Sequence, residues 1–221
     1  FGLTETLSFM GRTEPLTVYG PEGVHEFAGL VRQIGRSKLG FPLLAQELTP
    51  GSTVPFEGFS VTAFGIQHGM PGLGYILAED DRPGRFNRER AIELGVPPGP
   101  LFGRLQRGET VTIVQDGRER EIHPDDVLGP PRPGRKLIYT GDTRPIHHSI
   151  ETVGRGADLL IHDATFDDAE RERAIEVFHS TAGEAGEAAA HLNVQRLALV
   201  HISSRYTNPA THIRDARKKF D

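Results

Sequence analysis

Short apolar runs, each about one strand long and closed by a polar or glycine-bearing turn, recur along the chain. Lys136 to Tyr139, Ala157 to Ile161 and Arg196 to Val200 are three such runs in the last third and predict buried strands. Between and after them the spacing turns helical, over Pro145 to Val153, Asp167 to Val177, Thr181 to Leu192 and Thr211 to Phe220. Thr181-Ala182-Gly183-Glu184 is a capping-box pattern, so one helix begins at Thr181. Its free N–H groups and dipole favour an anion, commonly phosphate, next to His179 and Ser180.

The first part is strand-rich with one covering helix. Leu16 to Tyr19 predicts a strand, and a helix follows Pro21-Glu22-Gly23 to about Leu39, with Val24, Phe27, Leu30, Val31 and Ile34 at helical spacing. Phe59 to Gln67 alternates around Val61, Ala63 and Ile66 and runs into His68; Leu73 to Ala78 is a further strand. A helix-like stretch spans Thr4 to Met10. Strands alternating with helices place ligating groups beyond the carboxyl ends of the strands.

Composition breaks this pattern once. Arg82 to Arg135 holds 8 Pro and 8 Gly in 54 residues, with 10 Arg against 8 acids. A short helix (Asn87 to Leu94) and a hairpin-like pair (Glu109 to Val114, Arg118 to Ile122) are expected inside it. Such a segment is expected to bury little of itself. It reads as a projecting arm, or equally as a long loop packed on the surface. The organisation is then 1–81, 82–135 and 136–221, the outer two forming one domain.

At 221 residues the chain is long enough for one sizeable core. A formal net charge of −5 confines any nucleic-acid role to a local patch. The absence of cysteine excludes disulfides and thiolate metal sites and agrees with a reducing cytoplasm. No apolar run reaches the roughly 20 residues that span a bilayer, so a soluble protein is expected. Phe1-Gly2-Leu3 opens without a leader or first strand, and the final helix stops at Asp221 without a terminating signal, so a fragment is expected.

Three strings concentrate the chemistry: Tyr139 to Thr143, His162 to Phe166, and His201 to Tyr206. Each places a His or Asp where a strand ends. His68, Asp142 and His201 are candidate metal ligands, because imidazole with carboxylate suits zinc or manganese. Two metals at such a site would lower the pKa of bound water and clamp a phosphodiester. His179 is placed to protonate a leaving oxygen, with Asp163 stabilising its charged form. His162 points the other way along its strand and reads as structural. His147 and His148 read as solvated surface. Ser203 and Arg205 are candidates for substrate phosphate, although Arg205 reads equally as a salt-bridged structural residue.

In order, Gly11 to Leu16, Tyr19-Gly20-Pro21, His68 ahead of Gly74-Tyr75, Pro97 to Pro100, Leu105 to Val111, and the three strings with His179-Ser180-Thr181 resemble the ribonuclease Z family. These are tRNA 3′-end processing endonucleases of the metallo-β-lactamase fold. The resemblance implies an α/β fold, an αββα sandwich with an inserted Gly/Pro-rich arm that grips tRNA, including Pro98, Gly99 and Pro100. It implies two Zn2+ per subunit, with Mn2+ as the alternative. His68 resembles a ligand of one ion, Asp142 the bridging carboxylate and His201 a ligand of the second, with Asp163 and His179 as the proton-delivering pair. The partners implied are precursor tRNA and a second copy of the chain, in the cytoplasm, with no membrane.

Two departures accompany the resemblance. The family's Glu is Asp163 here, one methylene shorter, and the pairing with His179 is expected to need a water or a backbone shift. The family's H-x-H-x-D-H motif, which precedes a Gly-Leu matching Gly2-Leu3, is not in the sequence. His68, Asp142 and His201 are too few for two closed zinc sites, so weak metal binding and poor cleavage are expected of this chain alone. A general phosphodiesterase of the same fold and a catalytically empty tRNA-binding module remain the alternatives.

Overall fold

The computed structural model describes residues 2–34, 39–115, 117–146 and 150–221. The chain divides into two compact units, Phe1–Ala78 with Lys136–Asp221, and Glu79–Arg135. In chain order the elements are α1 (Gly2–Phe9), β1 (Leu16–Gly20), α2 (Val24–Ile34), β2 (Leu43–Glu47), β3 (Thr53–Phe56), β4 (Phe59–Gly65) and β5 (Leu73–Glu79). Next come α3 (Arg88–Glu93), α4 (Pro100–Gln106), β6 (Val111–Gln115) and β7 (Arg118–Ile122). The last third holds β8 (Lys136–Tyr139), α5 (Glu151–Gly154), β9 (Leu159–Asp163), α6 (Arg171–Glu176), α7 (Ala182–His191), β10 (Leu197–Val200) and α8 (Ala210–Arg217).

The first unit is built on a six-stranded sheet in the order β10-β9-β8-β5-β4-β3, beside a parallel pair, β1 with β2. β8, β9 and β10 run parallel, and β5 runs antiparallel to β8. Parallel strands with both faces covered read as near-continuous apolar runs, and Ile138 and Leu160 are fully buried. Each contributes about 1.5–3 kcal/mol by leaving water. They join Phe64, Ile76, Ile150, Ala188 and Leu192 in the main core. Helix α7 packs through small residues, and a Cβ on Gly186 would lie 2.5 Å from the Ala216 carbonyl oxygen. That glycine is what lets α7 and α8 approach so closely.

One expectation needs correcting here, and two strands are additions to it. The helix expected over Pro145 to Val153 is helical, among the described residues, only at Glu151–Gly154. Arg144, just before it, gives its backbone N–H to the Gln67 carbonyl, which holds the chain out of a helix there. His147 and His148 lie outside the described residues, as does the end of the helix expected to reach Leu39. Strands β2 and β3 were not anticipated. β3 carries Pro55 and forms the sheet edge, where proline is tolerated.

The second unit has a core of its own, contrary to the expectation that it buries little. Ala91, Leu94, Val96, Leu105, Val111, Ile113, Ile122 and Val127 form a buried cluster. Its Pro and Gly residues punctuate elements instead of preventing them. Pro100 sits in the first turn of α4, and the Asn87 side chain caps α3 at 2.9 Å from the Arg90 N–H. Pro98, Gly99 and Pro100 lie exposed at the entry to α4.

Candidate active site

The parallel strands deliver their polar sequels to one sheet edge. Asp142 follows β8, Asp163 ends β9, and His201 directly follows β10. His68 comes from the turn after β4, tied in by a Gln67 N–H bond to Thr143 Oγ1 at 2.9 Å. His179 precedes α7. His201 and Phe178 both adopt left-handed backbone, each with φ of 60°. For non-glycine residues this costs roughly 1–3 kcal/mol and concentrates at functional sites.

Asp163 is fully buried and carries the densest set of hydrogen bonds in the site. Its Oδ1 accepts from the Thr165 N–H at 2.8 Å and the Thr165 hydroxyl at 2.7 Å. Its Oδ2 accepts from the Thr143 N–H at 2.9 Å and from His179 Nδ1 at 2.7 Å. The contact with His179 is direct, so the shorter side chain needs no bridging water. Both oxygens are thus satisfied by hydrogen bonds within the fold.

This network fixes the imidazole tautomers. An ionised Asp163 accepts only, so His179 Nδ1 carries the proton and Nε2 is the free nitrogen. The Thr165 hydroxyl gives its single proton to Asp163, so it accepts from His201 Nδ1 at 2.8 Å. His201 Nε2 then faces Asp142 Oδ2 at 3.3 Å. His68 Nδ1 donates to the Phe178 carbonyl at 3.2 Å, freeing its own Nε2.

Ligating atoms of Asp142, His179 and His201 all lie within 4.8 Å of one another. His68 stands outside that group, although its ring meets the His179 ring at 4.7 Å, edge to face. With Nδ1 protons committed inward, imidazole lone pairs and a carboxylate converge without an intervening proton. That arrangement is repulsive unless a cation or an added proton sits among them, and the N/O donor set suits zinc. Sequence reasoning assigned His179 only a proton-transfer role; its membership of this group appears only in three dimensions.

The anion site expected at the start of α7 is a correction. The Thr181 N–H goes to Glu184, the Ala182 N–H to the Phe166 carbonyl, the Gly183 N–H to Asp168 Oδ1, and the Glu184 N–H to Thr181 Oγ1. All four donors are taken by the protein, and the anions at this helix start are its own carboxylates, Asp168 and Glu184. The capping box is real; the vacancy for phosphate is not.

His162 is buried, donates Nδ1 to the Asp163 carbonyl at 2.8 Å, and leaves Nε2 without a partner among the described residues. Burial pushes its pKa down, keeping it neutral. Ser203 is anchored by its N–H to the Thr165 carbonyl at 3.1 Å. Arg205 is exposed and lies 6.0 Å over the Phe166 ring, and among the described residues no carboxylate pairs with it. Thr165, Thr143 and Arg144 were missed as site residues; a lone hydroxyl or guanidinium gives no spacing signal.

A family profile described as a beta-lactamase superfamily domain matches residues 108–202. The chain is 48% identical to ribonuclease Z of Methanosarcina acetivorans, over all of this chain and 71% of that protein. Among solved structures, the short form of human tRNase Z superposes with a TM-score of 0.62 at 23% identity, covering 92% of this chain and 67% of the human one. Zinc-bound PqqB from Methylobacterium extorquens gives a TM-score of 0.50 at 16% identity, covering 96% of this chain and 61% of PqqB. The fold is that of the metallo-β-lactamases.

Proposed function

The chain belongs to the ribonuclease Z family, and on that premise we propose that it acts as an endoribonuclease that removes the 3′ trailer from precursor tRNA. Cleavage falls on the 3′ side of the discriminator nucleotide and leaves a 3′-hydroxyl on the tRNA and a 5′-phosphate on the trailer. The observation that carries this reading is the convergence of Asp142, His179 and His201, backed by a buried Asp163 that orients His179.

Asp142 and His201 would hold zinc, or manganese in its place, with His68, whose ring meets that of His179, as a further ligand. When bound, the metal supplies an activated water and charge compensation for the phosphodiester. The protein's own groups do the rest. Asp163 holds the Nδ1 proton of His179 and stabilises the imidazolium, so that Nε2 delivers a proton to the departing 3′ oxygen. Thr165 keeps His179 and His201 in register through one oxygen, at 3.0 Å and 2.8 Å. Ser203 and Arg205 lie beside this edge, where Arg205 is free to meet phosphate.

The unit Glu79–Arg135 is the tRNA-binding arm in this reading, with Pro98, Gly99 and Pro100 among its contacts. Several of its arginines are engaged internally, Arg104 and Arg107 with Glu109 at 2.9 Å and 3.0 Å. Arg85, Arg88, Arg118 and Arg120 have no ion pair among the described residues and are available to the RNA backbone. The protein acts as a homodimer in the cytoplasm. Phe27, Leu30 and Ile34, exposed along α2, support self-association, and no described helix is long and apolar enough to cross a membrane.

The test is cleavage of a 3′-extended tRNA by the intact, zinc-loaded protein, with product ends mapped and mature tRNA as control. A single cut after the discriminator is expected. Absence of cleavage, or cutting at scattered sites, overturns the reading.

A further inference from the structure

Arg144 joins the segments that carry the two facing imidazoles. Its guanidinium is 15% exposed and pairs with Glu184, itself 6% exposed, through two contacts, Nη1 to Oε2 at 2.8 Å and Nη2 to Oε1 at 2.5 Å. The same Nη1 donates to the His179 backbone carbonyl. The backbone N–H of Arg144 donates to the Gln67 carbonyl at 2.9 Å, one residue before His68. One residue therefore holds the chain beside His68 and the chain at His179, and fastens both to α7.

The neighbouring Thr143 completes the junction. Its N–H binds Asp163, its hydroxyl accepts from Gln67, and its carbonyl accepts from the Ser180 hydroxyl at 2.6 Å. Glu184 serves two further partners: its Oε2 accepts the Thr181 N–H of the capping box at 3.0 Å, and its Oε1 pairs with Nε of the exposed Arg171 at 3.4 Å. A bidentate Arg–carboxylate pair is rigid in a way a lysine cannot reproduce.

We propose that Arg144 is a positioning residue of the active site: its guanidinium, paired with Glu184, holds the His179 carbonyl while its backbone N–H holds that of Gln67, and so it sets the His179 imidazole against that of His68. The proposal rests on the nuclease reading for its kinetic consequence only. Its structural consequence is read without substrate. A proton donated to a buried carboxylate exchanges slowly, so the His179 Nδ1 proton should give a low-field resonance that His179→Asn removes.

Three variants of the intact protein decide the matter: Arg144→Ala, Arg144→Lys and Glu184→Gln. Glutamine still closes the capping box, so Glu184→Gln separates the ion pair from helix capping and keeps the test available if Arg144→Ala does not fold. All three are expected to lose or broaden the His179 resonance. They are also expected to lower kcat on precursor tRNA by about 10- to 100-fold with KM unchanged, the scale of an ångström-sized misplacement. Added methylguanidinium should restore part of the kcat of Arg144→Ala. A sharp, unshifted resonance with kcat within twofold of wild type in folded Arg144→Lys or Glu184→Gln overturns the proposal. If the wild type cleaves no tRNA, the nuclease reading fails, and the resonance alone still decides the role of Arg144.

Discussion

His179 Nδ1 lies 2.7 Å from Oδ2 of Asp163, a carboxylate with no exposure to solvent. A buried ion of this kind persists only when its oxygens are satisfied, and here Thr143, Thr165 and His179 satisfy them. The pair fixes which nitrogen of His179 is free and thereby what His179 can do.

Asp163→Asn keeps the shape and removes the charge that orients and stabilises the imidazolium. The expected result is a fall in kcat of roughly 10²- to 10⁴-fold on precursor tRNA, with metal content unchanged. Asp163→Glu, despite matching the family's usual residue, is expected to destabilise by about 1–3 kcal/mol, because the extra methylene enters a filled site. Steady-state kinetics and thermal melting check the two statements; full activity in Asp163→Asn contradicts the first.

His179 belongs both to the converging donor group and to the proton-delivering pair, and metal analysis separates these roles. His201→Ala and Asp142→Ala are expected to lose bound zinc in equilibrium dialysis. His179→Ala is expected to retain zinc while losing at least 100-fold in kcat, the scale of a missing general acid. Loss of zinc from His179→Ala to the level of His201→Ala makes it a ligand instead.

Much of this site was legible because it sits at strand ends. Asp142, Asp163 and His201 each lie at or just past the end of an apolar run that is a strand, although β10, at the sheet edge, is only half-buried where a buried strand was expected, and Thr181 with Glu184 spelled the helix start correctly. What failed was anything that depends on neighbours distant in sequence. Asp168 fills the helix start from 15 residues away, removing the expected phosphate site. Thr165 matters because one oxygen meets two imidazoles from separate segments. The second unit was misjudged because its apolar residues are scattered among Gly and Pro, a pattern composition reads as unfolded, although those residues leave room for α3, α4 and the β6–β7 pair to share a core.

Ala78 and Lys136 are register partners on the adjacent strands β5 and β8. The second unit therefore enters and leaves at neighbouring points, and a two-residue Asn-Gly turn can close the gap left by its removal. Replacing Glu79–Arg135 in this way is expected to leave the first unit folded and able to hydrolyse a small chromogenic phosphodiester, while precursor tRNA cleavage disappears. Equal loss of both activities in a folded protein means the unit is scaffold and not a substrate grip.

Burial holds the folded-state pKa of His162 below its ordinary 6.5. The unfolded chain therefore takes up a proton that the folded chain refuses. The stability tied to His162 is whole above about pH 6.5 and is lost as pH falls towards the lowered folded value. Between pH 7 and pH 5 the melting temperature of wild type should fall further than that of His162→Asn, which cannot titrate. Identical falls contradict a neutral buried imidazole.

The central claim is that Asp142 and His201 face a shared cation and not merely each other across 3.3 Å. Anomalous diffraction from zinc-soaked crystals of the intact protein, collected on both sides of the zinc edge, measures this directly. The account predicts a peak about 2.0–2.2 Å from both the His201 imidazole and an Asp142 oxygen. A peak elsewhere, with Asp142 and His201 still paired to one another, contradicts it.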